Sequence, residues 1–187
     1  MRILCALALA GLVAACASSP PVRFYALAGP APAAGARELP GPSVAVGPVT
    51  IPDALDRPQL VTRRGAGEVR IEEFARWAGP LRAEIAQAVT AQLAALRPDA
   101  RVATSAAAPA MPDFRVTVDV QRFELAPGES TTLEAVWSVT AGARTLRTAR
   151  AVIAERVEAS GFEALVAAQS RAIERLARDI AAALPQQ

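Results

Sequence analysis

Phe114, Val116, Val118 and Val120 alternate with Arg115, Thr117 and Asp119, and a hydrophobic period of two admits only a strand with one buried and one wet face. At Gln121-Arg122 the phase slips and Phe123 and Leu125 continue on the other parity, which predicts a bulge ahead of a Pro127-Gly128 turn. Leu133, Ala135, Trp137 and Val139 repeat the alternation, and Arg144 to Val157 supplies a third, less regular strand. Three such neighbours predict an antiparallel meander. Upstream, Arg23 to Leu27 and Val44 to Val49 are shorter strand candidates, and Pro48 either ends the second or places it at an edge. Gln59 to Arg63 and Glu68 to Glu72 flank Arg64-Gly65-Ala66-Gly67 as a hairpin, whereas Glu72 to Trp77 reads as the approach to a helix. Trp77 belongs either to the core or to a membrane-proximal anchor.

Two helices complete the pattern. Leu81, Ile85, Ala88, Val89, Gln92 and Leu96 recur at helical spacing after Pro80, so a helix is predicted from Pro80 to Leu96, stopping before Pro98. Ser160-Gly161-Phe162-Glu163 fits a capping box opening a second helix. Its stripe is Phe162, Leu165, Val166, Ile173, Leu176, Ala177, Ile180 and Leu184, and Glu174–Arg178 and Arg175–Asp179 form i,i+4 pairs on its solvated side. Gly29 to Pro42 reads as loop, and the Ala/Pro-rich Ala103 to Pro112 carries no element signal. The expected fold is a single α/β domain, a mixed, mostly antiparallel β-sheet covered by two amphipathic helices.

The N-terminus has a separate logic. Met1-Arg2 is followed by thirteen apolar residues, Ile3 to Ala15, which as a helix reach ~20 Å and fall short of the ~30 Å hydrocarbon layer. That layout is an export signal rather than a membrane span. It ends in Val13-Ala14-Ala15-Cys16, which resembles the lipobox of bacterial lipoproteins, with Cys16 as the lipid attachment site; the bland alternative is a buried cysteine behind an ordinary signal. On the lipobox reading residues 1–15 are the signal peptide, 16–22 the lipidated N-terminus and tether, and 23–187 the folded domain. Cys5 leaves with the signal, so no thiol remains free for a disulfide. Ala17 stands where an Asp would signal inner-membrane retention in Gram-negative lipoproteins, which points to the outer membrane, facing the periplasm.

Composition removes most chemistry. All 20 basic residues are arginine and histidine is absent, so no Ser-His-Asp, Cys-His or Ser-Lys site can be assembled. A net charge of +2 and eight aromatics do not make a nucleic-acid surface. With no His and no cysteine to spare, metal sites are reduced to oxygen ligands, and no loop has calcium spacing; no metal, no cofactor and no catalytic residue is expected. Paired-carboxylate hydrolysis by Asp53, Asp56, Glu68, Glu72 and Glu73 is the one enzymatic reading left open, against the plainer view that these are surface carboxylates.

Phe24-Tyr25-Ala26-Leu27, then Val44 to Arg63 (VAVGPVTIPDALDRPQLVTR), Arg76 to Leu81 (RWAGPL), Arg115 to Glu124 (RVTVDVQRFE) and Leu133 to Trp137 (LEAVW) together resemble the ABC-type transport auxiliary lipoproteins of the PqiC/YmbA type. IPDALDRPQLVTR is the most specific part; family proteins often carry Tyr where this chain has Ala54. The resemblance implies a non-enzymatic accessory subunit of an MCE/ABC-type intermembrane lipid transport system that supports envelope integrity. Its partner would be an MCE-domain transport protein, it would be held on the outer membrane by its lipid, and it would act as a homo-oligomer. Asp56, Arg57, Gln59 and Arg63 are the partner-binding candidates within the matching segment, the arginines pairing with partner carboxylates or with lipid phosphates. The competing view is that Pro52 and Pro58 force an extended loop whose own backbone these groups satisfy. A different binding module, a periplasmic lipoprotein that contacts peptidoglycan or assists outer-membrane protein assembly, is the alternative function.

Overall fold

A computed structural model describes residues 20–31 and 41–185 of the chain. The signal segment, Cys16, most of the tether and much of the Gly29–Pro42 loop lie outside the described residues.

The predicted meander is the spine of the molecule. β6 (Phe114–Leu125), β7 (Ser130–Ala141) and β8 (Arg144–Arg156) pair antiparallel in sequence order. The β6–β7 register shifts between Val120 and Arg122, where the phase slip placed a bulge, and Gly128 turns the chain at φ +77°. Val116, Val118, Val120, Phe123 and Leu125 of β6 and Leu133, Ala135, Trp137 and Val139 of β7 are all buried on one face. That alternation is the inside-outside period of the pleat.

β6 serves two partners along its other edge. Its first half pairs parallel with β2 (Ser43–Thr50), whose far side takes β5 (Arg101–Thr104). Its last residue, Leu125, pairs with Thr62 of β3 (Gln59–Arg64), and β3 continues to β4 (Glu68–Trp77) and to the edge strand β1 (Arg23–Tyr25). The eight-stranded sheet therefore forks at β6, and most of its ladder is antiparallel.

Helices α1 (Leu81–Leu96) and α2 (Phe162–Ala183) pack against each other and cover one face of the sheet. Leu81, Ile85, Ala88, Val89 and Leu93 of α1 and Leu165, Ile173, Leu176 and Ile180 of α2 enter the core, with Trp77 and Phe123 edge to face at 5.9 Å. Trp77 is thus a core residue. Buried Arg97, just past α1, holds Asp99 in a two-pronged pair (2.9 and 2.6 Å) and donates to Leu184 O at 3.3 Å and Pro185 O at 2.9 Å, tying the ends of both helices together. No described helix is long and apolar enough to cross a membrane.

Several expectations need correction. β2 runs through Pro48 instead of ending there or lying wholly at an edge: the β2–β6 register shifts between Val46 and Val49 of β2, Gly47 takes φ +125° there, and Pro48 sits in the irregular step where neither neighbouring strand pairs with it. Glu72 to Trp77 is strand, not an approach to a helix. β5 appears in a stretch without strand signal. Leu93 rather than Leu96 faces the core from α1. Gly161, not Ser160, caps α2, because the chain enters the helix at φ +98°, a conformation that favours glycine, and the cap makes no side-chain hydrogen bond. Arg175 reaches Glu155 of β8 at 3.0 Å instead of Asp179, and Arg171 donates to Arg156 O at 2.7 Å, so this charged run joins α2 to β8.

Candidate functional site

The Pro-flanked segment folds as two missing amides require. Pro52 and Pro58 donate nothing to a ladder, and between them residues 53–55 close one 3₁₀ turn, with Leu55 N donating to Pro52 O at 2.9 Å. Arg57 Nε donates to Ala54 O at 2.8 Å and so braces that turn. β3 starts directly after Pro58, with Gln59 in register with Arg76 of β4. Arg63 is committed to its own hairpin: Nε donates to Gly65 O at 3.0 Å, Nη2 to Ala66 O at 2.6 Å, and Nη1 pairs with Glu124 of β6. Asp56 turns to Arg82 of α1.

Of the four candidates, the structure brings Arg57 and Arg63 to one groove of about 260 Å³; Asp56 and Gln59 do not line it. Leu55, Val61, Val69 and Ile71 supply its apolar lining, and Arg122 and Glu124 of β6 close it. Thr62 and Leu125 are buried, so the adjacent Val61, Arg63 and Glu124 point to the opposite, helix-free face. The groove combines apolar wall with guanidinium, an arrangement that holds hydrophobic matter carrying an anionic group. Both arginines also satisfy nearby backbone carbonyls, as the competing view of this segment required.

The five carboxylates of the hydrolytic reading are scattered. Asp53 is exposed on the 3₁₀ turn, Asp56 pairs with Arg82, Glu68 is exposed beside the hairpin turn, Glu72 accepts from Thr62 Oγ1 at 2.7 Å, and Glu73 is exposed on β4. Among the described residues no group of three or more His, Cys, Asp or Glu gathers where a metal ion could sit. The displaced titrations lie elsewhere: the Arg97 side chain holds the Asp99 carboxyl below its ordinary value, and the Ser43 amide and hydroxyl, at 2.8 and 2.7 Å, do the same for Asp113.

Sequence reasoning missed the apolar members of the groove. Val69 and Ile71 alternate with Arg70 and Glu72, a strand signal, but whether that apolar parity is covered depends on where the sheet forks.

Compared with protein families, residues 25–181 match the one described as ABC-type transport auxiliary lipoprotein component. No curated protein matches the chain. Among solved structures, the fold is similar to that of an uncharacterized protein, 17% identical with a TM-score of 0.74 over 87% of this chain and 98% of that one. It is also similar to a protein of the DUF330 family from Xanthomonas campestris, 18% identical with a TM-score of 0.67 over 86% of this chain and 93% of the other. At such identities the likeness is one of fold.

Proposed function

We infer the function from one premise: the chain belongs to the ABC-type transport auxiliary lipoproteins, auxiliary components of ABC-type transport with a membrane-anchored place in the cell envelope. On our reading it is a non-enzymatic accessory subunit of an MCE/ABC-type lipid transport system. It is acylated at Cys16, held on the outer membrane facing the periplasm, and assembled as a homo-oligomer that meets an MCE-domain protein. The observation that carries this is the extent of the family match, from Tyr25 in β1 to Ala181 in the last turn of α2, so that the whole folded body rather than one motif has the family character. The lipobox supplies the physical logic. A diacylated or triacylated anchor, at ~0.8 kcal/mol per buried methylene, holds far more firmly than one chain, and confinement to one surface raises the local concentration of domains so that weak lateral and partner contacts suffice.

The mechanism asked of the chain is holding and meeting. Arg57 and Arg63, in a groove with apolar lining, are the contact residues within the matching segment; Asp56 and Gln59 flank them, Asp56 fixing the segment to α1 through Arg82. Co-purification of the acylated chain with the periplasmic region of its cognate MCE protein is the expected result. Failure of the two to associate, with the lipoprotein folded and membrane-bound, rejects the partner. Cys16→Ala is expected to release the chain from washed outer membranes, and its retention there rejects the anchor.

A further inference from the structure

Five of the eight large hydrophobics left exposed among the described residues, Val22, Phe24, Val69, Ile71 and Phe74, lie on or beside β1 and β4. Phe24 is 64% exposed and Val69 68%. Phe24 is in register with Arg76, so it stands on the face opposite its buried neighbour Tyr25. Ile71 lines the groove of Arg57 and Arg63 on this face, and around the edge of β1 and β4 a second cavity of about 510 Å³ is walled by Pro20, Pro21, Tyr25, Glu72, Glu73 and Phe162. Val22 and Phe24 carry the apolar surface of Val69, Ile71 and Phe74 to the point where the chain enters the fold. Nothing in the core requires these side chains outside, and a cluster of this kind marks a surface that meets another phase or molecule.

We propose that this β1–β4 face rests on the lipid bilayer, its apolar side chains sunk into the headgroup region and its arginines on lipid phosphates. The occupant follows from chain length. Cys16 precedes Pro20 by four residues, and even fully extended these span no more than ~14 Å at ~3.5 Å per residue. An acyl chain on Cys16 therefore keeps Pro20, and the cavity it lines, within that distance of the membrane surface. The proposal rests on the acylation inferred above. The fringe suits the phosphates: Arg122, which closes the groove on this same face, meets Glu124 only at 3.8 Å and Glu134 only at 3.5 Å, with its side chain half exposed. Such solvated pairs exchange readily for another anion. Shallow seating of an apolar face with a cationic fringe is the monotopic mode of binding.

The test uses the full acylated chain with single reporter cysteines, Phe24→Cys or Ile71→Cys on the face, and Met111→Cys or Val152→Cys as exposed apolar positions off it. Each is labelled with an environment-sensitive fluorophore and reconstituted in vesicles of phosphatidylethanolamine and phosphatidylglycerol carrying brominated acyl chains. Side chains sunk ~5–10 Å should be quenched about threefold or more relative to positions 111 and 152. Equal quenching at all four positions overturns the proposal with the anchor intact. Label-to-label self-quenching at 24 without lipid quenching seats a second copy on the face and overturns it equally. The mass of the N-terminal peptide reports acylation separately. If the chain is unacylated the anchor fails, and the face then stands if the chain still floats with the vesicles and is quenched at 24 and 71; if it does not float, the face falls too.

Discussion

The β6–β7–β8 meander and the β1–β4–β3 arm belong to one sheet, yet they treat their hydrophobic residues in opposite ways. In the meander nearly every alternating apolar residue is buried under the helices, and apart from exposed Val152 its open face is mainly polar: Glu134 there accepts from Arg150 Nε at 2.9 Å and lies 3.5 Å from Arg122 Nε. In the arm Leu60, Ala75 and Trp77 are buried, while Val69, Ile71 and Phe74 a few residues away stay exposed on the same pair of strands. Burial in the first region explains folding; its absence in the second calls for a reason outside folding. The division places contact work on the arm and stability in the meander and helices.

The contrast breaks most directly by mutation. Leu133→Ala, in the fully buried centre of β7, is expected to cost ~2–5 kcal/mol, whereas Ile71→Ala on the arm should change stability by no more than ~0.5 kcal/mol. Urea unfolding of the two variants checks this, and equal losses would erase the distinction. Next in size, Arg97→Ala strips Leu184 O and Pro185 O of their donor at the junction of the helices, with an expected loss of ~1–3 kcal/mol in the same assay. Glu124→Gln weakens the one ion pair that joins β6 to the hairpin among the described residues. Its side chains are about one-third exposed, so the global loss should be under ~1 kcal/mol, but amide exchange across Gln59–Arg64 should accelerate while β7 is unchanged.

The smallest effect is set by acid. Asp113 has its carboxyl held low by the Ser43 amide and hydroxyl, an arrangement that ties the start of β2 to the start of β6. A depressed folded-state value contributes stability above the unfolded value of ~3.9, and that contribution disappears as pH falls through the folded value. Asp113→Asn should therefore lose stability at neutral pH and show a flatter decline below pH ~4 than the parent in pH-dependent thermal unfolding.

The meander, its bulge at Gln121 and both helices were legible in sequence because burial on one face enforces the period on every second or fourth residue. β5 was not. Its four residues, RVAT, are strand because β2 offers an edge, a reason that resides in the partner. β4 was cut short because five steps along it, Ile71 to Arg76, oppose two along β3, which scrambles the alternation. At the candidate site the polar members Arg57 and Arg63 could be named from a motif. Their apolar neighbours could not, since a sequence marks Val69 and Ile71 as strand residues but does not say which hydrophobic parity goes uncovered. The capping box failed for a local reason: Gly161 offered a backbone conformation that Ser160 could not match.

The β3–β4 hairpin is a cantilever, rooted where Leu60 and Trp77 enter the core, stayed against β6 by the Thr62–Leu125 pairing and by Arg63 on Glu124, and exposed at its Gly65–Gly67 turn, which Arg63 braces from within. Such a beam is stiff at its base and yields progressively toward the tip, and local opening free energy follows the same gradient. Its outer surface can thus tilt to follow a curved or shifting counterpart while the rest of the molecule keeps its shape.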